Sequence, residues 1–269
     1  MLYIVGTPIG NLKEISSYAI EILNGCEYIL CEDTRTSSVL LNHYKINKPL
    51  KSYHKFNETK MLNSVITDLQ NGCNIALISD AGMPCVSDPG NILVNEAIKN
   101  NLKYTVISGP CALINAFILS GYSAPFTFVG FLPEKEKDVN NMLTELKNYK
   151  TTLIFYVSCH DVIKTFEKLY KVLGNRNICV VREISKMFEE VSFTTLQNGY
   201  NGVTKGEFVF VVEKGSEQNE LNNLTVQEHL KHYEKLGLTN MEAIKQVAHD
   251  RNTTKNEIYN MAIKIKNER

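Results

Sequence analysis

The sequence predicts an α/β protein with two α/β domains followed by a helical extension. Short apolar segments alternate with helix-forming segments along most of the chain, which is typical of sheets flanked by helices. Loops that contain glycine, proline and acidic residues directly follow several of these apolar segments in the first half of the chain. After a polar stretch at residues 215–223, only helix-start signatures remain.

The first domain is predicted to span residues 1–121 and to contain a parallel sheet. Its short apolar segments predict buried strands at residues 2–5, 28–31, 50–53, 75–79 and 104–107. An early helix has Ile15, Ala19 and Leu23 on one face and ends at Gly25, and later helices are predicted at residues 61–71 and 92–100. Strands that alternate with such helices indicate a sheet covered on both faces. The turn-rich stretch 121–125 marks the boundary.

The second domain, residues 122–215, has more strand character and shorter connections. Strands are predicted at residues 127–131, 152–157, 178–182, 191–194 and 207–213, and helices at residues 134–148 and 161–172. We therefore expect a sheet of mixed strand direction here.

The last part of the chain, residues 216–269, is predicted to be a polar linker and a helical domain. Three capping boxes start its helices, and their residue pairs are Thr225 and Glu228, Thr239 and Glu242, and Thr254 and Glu257. Gly237 ends the first helix, and the last carries Ile258, Met261, Ala262 and Ile265 opposite Lys255, Lys264 and Lys266. The middle and last helices fit a helix-turn-helix, and a helical cap packed on the core is an equal alternative.

Composition limits the possible classes of function. The 269 residues are 43% hydrophobic and 22% charged, and 29 basic residues balance 29 acidic ones, so no global field favours nucleic acid or membrane. The seven cysteines form no CxxC pair, and no histidine cluster has zinc-ligand spacing. The chain carries no signal-peptide pattern and no membrane-length apolar run, so we expect a reduced cytoplasmic location and no metal.

Unusual loops follow four of the five strands of the first domain. These loops lie at residues 6–11, 32–37, 80–90 and 108–112. In an open parallel sheet they emerge together at the carboxyl edge, where ligands bind. The sequence therefore predicts a ligand site at that edge.

The loop at residues 80–90 begins with Asp80, Ala81 and Gly82 directly after a buried strand. Small residues would let a ligand lie against backbone amides, and the carboxylate suits an amine. Asp88 to Gly90 also fit a plain turn. No GxxxxGK[ST] motif is present, which argues against a phosphate-loop ATPase.

Two further segments each allow two interpretations. Glu32 to Arg35 is either part of a site or a helix cap with an ion pair. Residues 43–56 interleave basic and aromatic side chains, which suits RNA binding and equally suits a solvated loop.

Several short motifs in a fixed order resemble one family. They are Thr7-Pro-Ile-Gly-Asn-Leu12, Glu32-Asp-Thr-Arg35, Asn57-Glu58, Ser79-Asp-Ala-Gly with Pro84 and Asp88-Pro-Gly90, Gly109-Pro-Cys-Ala112, Gly130-Phe-Leu-Pro133, Arg182-Glu183 and Lys205-Gly-Glu207. Together they resemble the bacterial small-subunit ribosomal RNA 2′-O-ribose methyltransferases of the tetrapyrrole-methylase superfamily. The resemblance covers nearly the whole chain, and the C-terminal helices resemble that family's helix-turn-helix extension.

The resemblance implies two α/β domains of tetrapyrrole-methylase type with S-adenosylmethionine bound in the cleft between them, and a homodimer. It implies methylation of a cytidine, cytidine 1402 of 16S ribosomal RNA in the small ribosomal subunit. The implied cofactor contacts are Thr7, Pro8, Gly10, Asp80, Ala81, Gly82, Met83, Pro84, Cys111, Ala112, Phe155 and Tyr156. The residues expected to face RNA are Arg35, His54, Lys55, Asn57 and Lys186. Glu32 or Asp33 is the hypothesised base for the 2′-hydroxyl.

This chain departs from the family pattern at three positions. Gly6 replaces a usual proline, which we expect to loosen the first loop. Val157 and Asp161 replace a usual Glu and Arg, so we expect a lost ion pair there and assign no catalysis to them.

Two other functions remain open on the sequence. One is methylation of a tetrapyrrole by the same fold, which the Thr7 to Asn11 loop and the basic, aromatic segment disfavour. The other is a non-catalytic RNA-binding assembly protein, which the loops at the carboxyl edge disfavour.

Overall fold

The computed structural model describes residues 1–215, 221, 224–251 and 253–267. The chain forms two compact units, Met1–Lys214 and Gly215–Arg269. The predicted linker lies mostly outside the described residues, as do the predicted side-chain positions of Lys264, Ile265 and Lys266.

The first sheet of unit 1 is parallel throughout, as predicted. Its order is β3-β2-β4-β1-β5, with β1 at Leu2–Val5, β2 at Tyr28–Cys31, β3 at Leu50–Ser52, β4 at Ile75–Leu77 and β5 at Tyr104–Ile107. The helices between them are α1 at Ser17–Gly25, α2 at Thr34–His43, α3 at Glu58–Gln70 and α4 at Asn91–Lys99. Alternate side chains of β2 and β4 enter separate cores on the two faces, which explains why their sequences are continuously apolar.

The second sheet of unit 1 is mixed, which confirms the predicted strand directions. Its order is β6-β7-β10-β8-β9, and only β6 and β7 run parallel. The strands are β6 at Phe126–Gly130, β7 at Thr152–Val157, β8 at Asn177–Arg182, β9 at Glu190–Thr195 and β10 at Phe208–Val212. Helices α6 at Glu136–Lys147 and α7 at Val162–Leu173 pack against each other beside this sheet.

Helix α5, Ala112–Ser120, follows the first sheet in the chain but packs on the second sheet. Its Leu113 and Ala116 share a core with Ile154 of β7 and Val209 of β10. The predicted domain boundary after residue 121 stays a prediction, although the helix that precedes it packs with the elements that follow.

The described part of unit 2 contains α8 at Val226–Lys235, α9 at Asn240–Asp250 and α10 at Lys255–Asn267. All three predicted capping boxes are present. A core of Leu230, Ile244, Val247 and Ile258 joins the helices. The helix-turn-helix stays a prediction. Among the described residues, no helix is both long and apolar enough to cross a lipid bilayer.

Candidate active site

A cavity of about 500 Å³ lies where the carboxyl ends of β1 and β4 face the carboxyl ends of β7 and β8. It is lined by Ile9, Asp80, Ala81, Gly82, Met83, Val86, Ser87, Asp88, Cys111, Ala112, Phe131, Tyr156, Val157, Ser158, Cys159, Val181, Ile184, Gly206, Glu207, Phe208 and Val209. The predicted carboxyl-edge site therefore coincides with a cavity that has the volume of a small-molecule site.

The first loop is fixed to its neighbours by backbone contacts. The Gly6 amide donates to the Ile107 carbonyl at 3.0 Å, and the Thr7 and Gly82 amides donate to each other's carbonyls at 2.8 and 3.1 Å. A Cβ atom on Gly6 would lie 2.7 Å from the Gly109 Cα and 2.5 Å from the Met83 sulfur. The expectation that Gly6 loosens this loop is therefore wrong, because Gly6 lets β1 and the Gly109 loop pack closely.

The loop at residues 80–90 has an unusual backbone. Gly82, Cys85, Ser87 and Gly90 all have positive φ angles, of 81°, 69°, 69° and 132°. For residues with side chains such conformations cost on the order of 1–3 kcal/mol each, and they concentrate at functional sites. Ser87 lines the cavity, so this backbone shapes the cavity wall.

Three carboxylates interact electrostatically at this edge. Burial and the charges of Glu32 and Asp80 raise the pKa of Asp88 to about 7. Burial also raises the pKa of Asp80 and of Glu32, and the charge of Asp80 adds to the effect on Glu32. Asp80 and Asp88 line the cavity, so a cationic ligand would find two carboxylates that repel each other in its absence.

Asp33 and Arg35 form a helix cap with an ion pair, which is one of the two interpretations given above for residues 32–35. The Asp33 carboxylate accepts the Arg35 amide at 2.8 Å and pairs with its Nη2 at 2.7 Å at the start of α2. This pairing lowers the pKa of Asp33 to about 2. The side chain of Arg35 is 90% exposed, and the Asp33 amide donates to Asp80 Oδ1 at 3.2 Å.

Phe155 is not at the site, so that prediction is wrong. Successive side chains of β7 point to opposite faces, and Phe155 lies fully buried in the core beneath α6 and α7. Tyr156 faces the cavity, where its ring packs edge-on against Phe128 and Phe131 at 4.9 and 5.6 Å.

The remaining predicted cofactor residues divide into two groups. Those that line the cavity are Asp80, Ala81, Gly82, Met83, Cys111, Ala112 and Tyr156. Thr7, Pro8 and Pro84 are buried and do not line it, and Gly10 is exposed. Thr7 supports the wall from behind, since its hydroxyl donates to the Ser79 carbonyl at 3.2 Å.

The predicted RNA-facing residues are not equivalent. Asn57 is structural, since its amide group bonds the His54 amide at 2.8 Å and the Ser52 carbonyl at 3.0 Å. Burial and Asp80 raise the pKa of Glu32, and His54 lies near enough to oppose part of this rise. Lys55 is exposed beside Phe56, which is 93% exposed. The Lys186 ammonium lies between the carboxylates of Glu183 and Glu207.

The sequence did not predict much of the second wall of the cavity, which is the wall formed by the second sheet and its loops. No contact was predicted for Asp88, whose segment fits both a plain turn and a family motif. None was predicted for Ile184 or for residues 206–209 either, although Ile184 follows the motif Arg182-Glu183 and residues 206 and 207 belong to the motif Lys205-Gly-Glu207. Val157 lines the cavity, whereas Asp161 caps α7 and does not.

The wall fits S-adenosylmethionine. Two carboxylates suit the cationic end of that cofactor, and Tyr156 with Cys111 and Ala112 at the start of α5 offers an apolar surface to an adenosine group. Within the described residues, no group of three or more His, Cys, Asp or Glu side chains is placed to hold a metal ion.

A profile of the family described as tetrapyrrole (corrin/porphyrin) methylases matches residues 1–198. The chain belongs to the tetrapyrrole methylase family. It is 42% identical over 270 residues to ribosomal RNA small subunit methyltransferase I of Halalkalibacterium halodurans, covering 97% of this chain and 93% of that protein. It is 38% identical over 271 residues to the protein of the same name from Bacillus subtilis, covering 96% and 92%. These relatives place it in their branch of the tetrapyrrole methylases.

Solved structures of this family have the same fold. The methyltransferase CobJ superposes with a TM-score of 0.62 at 13% identity, covering 80% of this chain and 94% of that one. A uroporphyrin-III-C-methyltransferase from Thermus thermophilus gives a TM-score of 0.57 at 15% identity, covering 78% and 93%. The predicted fold class is confirmed.

Proposed function

We propose that this protein is an S-adenosylmethionine-dependent methyltransferase that modifies the ribose 2′-oxygen of a cytidine, cytidine 1402 in 16S ribosomal RNA of the small subunit. The observation that carries the proposal is a cavity with two carboxylates at the ligand edge of a chain whose near full-length relatives are named small-subunit ribosomal RNA methyltransferases.

Asp80 and Asp88 would hold the cationic end of the cofactor, and Cys111, Ala112 and Tyr156 its adenosine end. S-adenosylmethionine supplies a methyl group bound to a positively charged sulfur. The protein's main contribution is to hold the acceptor oxygen in line with that group, an orientation effect worth up to about 7–11 kcal/mol.

Glu32 is the better of the two hypothesised bases. Asp33 is committed to Arg35 and has a pKa of about 2, so it is a poor proton acceptor. Burial and the charge of Asp80, which lines the cavity, raise the pKa of Glu32. A base here would accelerate the reaction by roughly 10²–10⁴ by taking the 2′-hydroxyl proton.

The RNA would approach along the carboxyl edge of the first sheet. Arg35, Lys55 and Phe56 are exposed there and can contact phosphates and bases, and His54 interacts electrostatically with Glu32. We place this activity in the cytoplasm.

We further propose a homodimer that covers an exposed apolar face. Apart from Asn115 and Ser120, the residues of helix α5 are apolar, yet Ile118 is 69% exposed, and Val106 on the edge strand β5 is 53% exposed. An edge strand beside exposed apolar residues is typical of an interface. Ile118→Lys should shift the protein from dimer to monomer in sedimentation; a wild-type monomer would contradict this part.

Labelled S-adenosylmethionine, offered with small ribosomal subunits, naked ribosomal RNA and a tetrapyrrole precursor, tests the function. We expect label in RNA, on the 2′-oxygen of a cytidine, and a strong loss of rate in Glu32→Gln but not in the exposed control Glu21→Gln. Label only in the tetrapyrrole would support the activity named for the solved structures. RNA bound without label would support the non-catalytic binder.

A further inference from the structure

The turn between β8 and β9 is closed by an ion cluster. The Lys186 ammonium lies 2.9 Å from Glu183 Oε1 and 3.0 Å from Glu207 Oε2. Glu183 Oε1 also accepts the Glu207 amide at 2.8 Å, and the Glu183 amide donates to the Glu207 carbonyl at 2.9 Å. These three residues, here called the Lys186 clamp, tie the turn to the start of β10.

The backbone at the clamp is tightly constrained. Glu183 and Ser185 have φ angles of 51° and 63°, which residues with side chains rarely adopt. Gly206 has a φ of 100°, and a Cβ atom there would lie 2.5 Å from Glu183 Oε1. Such conformations persist only where the surrounding contacts hold them. The clamp supplies those contacts.

The same lysine also touches the first loop. A Cβ atom on Gly10 would lie 2.4 Å from Lys186 Cγ and 3.1 Å from the Ser185 carbonyl, so the aliphatic stem of Lys186 packs directly on Gly10. Ile9, next to Gly10, lines the cavity, as do Glu207 of the clamp and the neighbouring residues Ile184 and Gly206. Lys186 therefore joins two walls of the cavity that come from different sheets.

The charge of Lys186 is already matched within the protein. Its side chain is 28% exposed and pairs with two carboxylates, whereas the side chain of Arg35 is 90% exposed. A phosphate would have to compete with both carboxylates for the ammonium, which disfavours an RNA contact at Lys186.

We propose that Lys186 is a positioning residue that fixes the first loop against the second wall of the cavity, and not a phosphate contact. This inference rests on the proposed methyl transfer, in which the first loop would lie beside the reacting groups. A displacement of about 1 Å at such a site costs on the order of 10²-fold in rate.

Lys186→Met tests this because it keeps the aliphatic stem and removes the charge. At saturating RNA and cofactor we expect the single-turnover rate to fall by about ten- to a hundredfold. The slope of RNA affinity against salt should stay unchanged, and Lys186→Arg should retain most of the rate. Arg35→Gln is the comparator, since it should lower the salt slope by about one.

A second pair of variants tests the packing contact. Gly10→Ala places a methyl group where Lys186 Cγ stands, so its effect on the rate should be non-additive with that of Lys186→Ala. Additive effects would mean that the two residues act separately, which would overturn the proposal.

The proposal is overturned if Lys186→Met keeps the wild-type rate while its salt slope falls by about one. Hydrogen exchange of the amides at residues 7–11 gives a readout that needs no methyl transfer. If wild-type protein methylates nothing, the proposed function fails, and faster exchange in Lys186→Met would still support the clamp. Unchanged exchange would contradict it.

Discussion

Around the cavity, burial and the charge of Asp80 raise the pKa of Glu32, whereas the buried His229 of the C-terminal unit has a partner on each ring nitrogen. Arg251 Nε donates to His229 Nδ1 at 3.2 Å, so Nε2 carries the proton and donates to Asp250 at 3.1 Å. Both regions take polar groups partly out of water. In the helical unit these polar groups form hydrogen bonds with one another. In the cavity the carboxylates repel one another, and a cationic ligand would reduce that repulsion.

The largest effect is expected at Gly109, which packs against Gly6 with no space for a side chain. Gly109→Ala would place a Cβ atom 2.8 Å from the Gly6 backbone, and backbone cannot move aside as a flexible side chain can. Overpacking of this kind costs about 1–3 kcal/mol, and here it would also displace the first loop. Thermal unfolding and cofactor titration should both show the loss.

Gly25→Ala is the matched control, because nothing lies within 4 Å of the added atom. If Gly109→Ala matched that control in melting temperature and cofactor affinity, the close approach of the two loops would have no energetic importance.

The second prediction concerns the hydrogen bonds of His229 with Asp250 and Arg251. Burial lowers the pKa of His229, and the Arg251 charge adds to this against the opposing effects of Asp250. A lowered pKa means that the neutral ring stabilises the unit above the unfolded value of about 6.5, and that this stability is lost as pH falls below it. The protection factors of the amides in α8, α9 and α10, which correct for the intrinsic slowing of exchange in acid, should therefore fall on acidification.

His229→Leu should destabilise these helices by about 1–3 kcal/mol at neutral pH, because Asp250 and Arg251 each lose a buried hydrogen bond. The exposed His43→Gln should leave their exchange unchanged. If the protection factors stay constant while His229 changes from neutral to protonated, His229 does not cause a pH dependence of stability.

The third prediction concerns the carboxylates that line the cavity. Since the pKa of Asp88 is about 7, cofactor affinity should fall by at most tenfold per pH unit as pH drops through that value. The folded protein holds this proton between pH 3.8 and about 7 while the unfolded chain does not, so stability without ligand should decline as pH rises across that window. Asp88→Asn should abolish both dependences and weaken cofactor binding.

Calorimetric titration across neutral pH measures this affinity, with the exposed Glu21→Gln as control. A pH dependence that survives in Asp88→Asn would assign the titration to Asp80 or Glu32 instead.

The smallest effect is expected at the solvent-exposed ion pair of Asp33 and Arg35. Solvent screens exposed ion pairs, which therefore contribute little to stability, so Arg35→Gln should barely change the melting temperature. A large destabilisation would show that the ion pair stabilises the loop beside Asp80 as well as the start of α2.

The sequence predicted the strands of both sheets to within a few residues, because glycine, proline or acidic residues lie at the ends of several of the short apolar segments. It failed where a side chain's neighbours are distant in the chain. Lys186 meets Glu207 from another strand, and α5 packs on a sheet that begins after it. The misplacement of Phe155 was avoidable, since strand alternation alone separates it from Tyr156.

Helix α5 has a mechanical consequence. It is anchored to the second sheet, but residues 108–111 attach it to β5 of the first, and Cys111 and Ala112 at this junction line the cavity. Any force that separates the sheets is transmitted through this covalent strap into the cavity wall. The cavity therefore widens when the two sheets of unit 1 move apart and narrows when they approach. A ligand that contacts both walls would resist this motion.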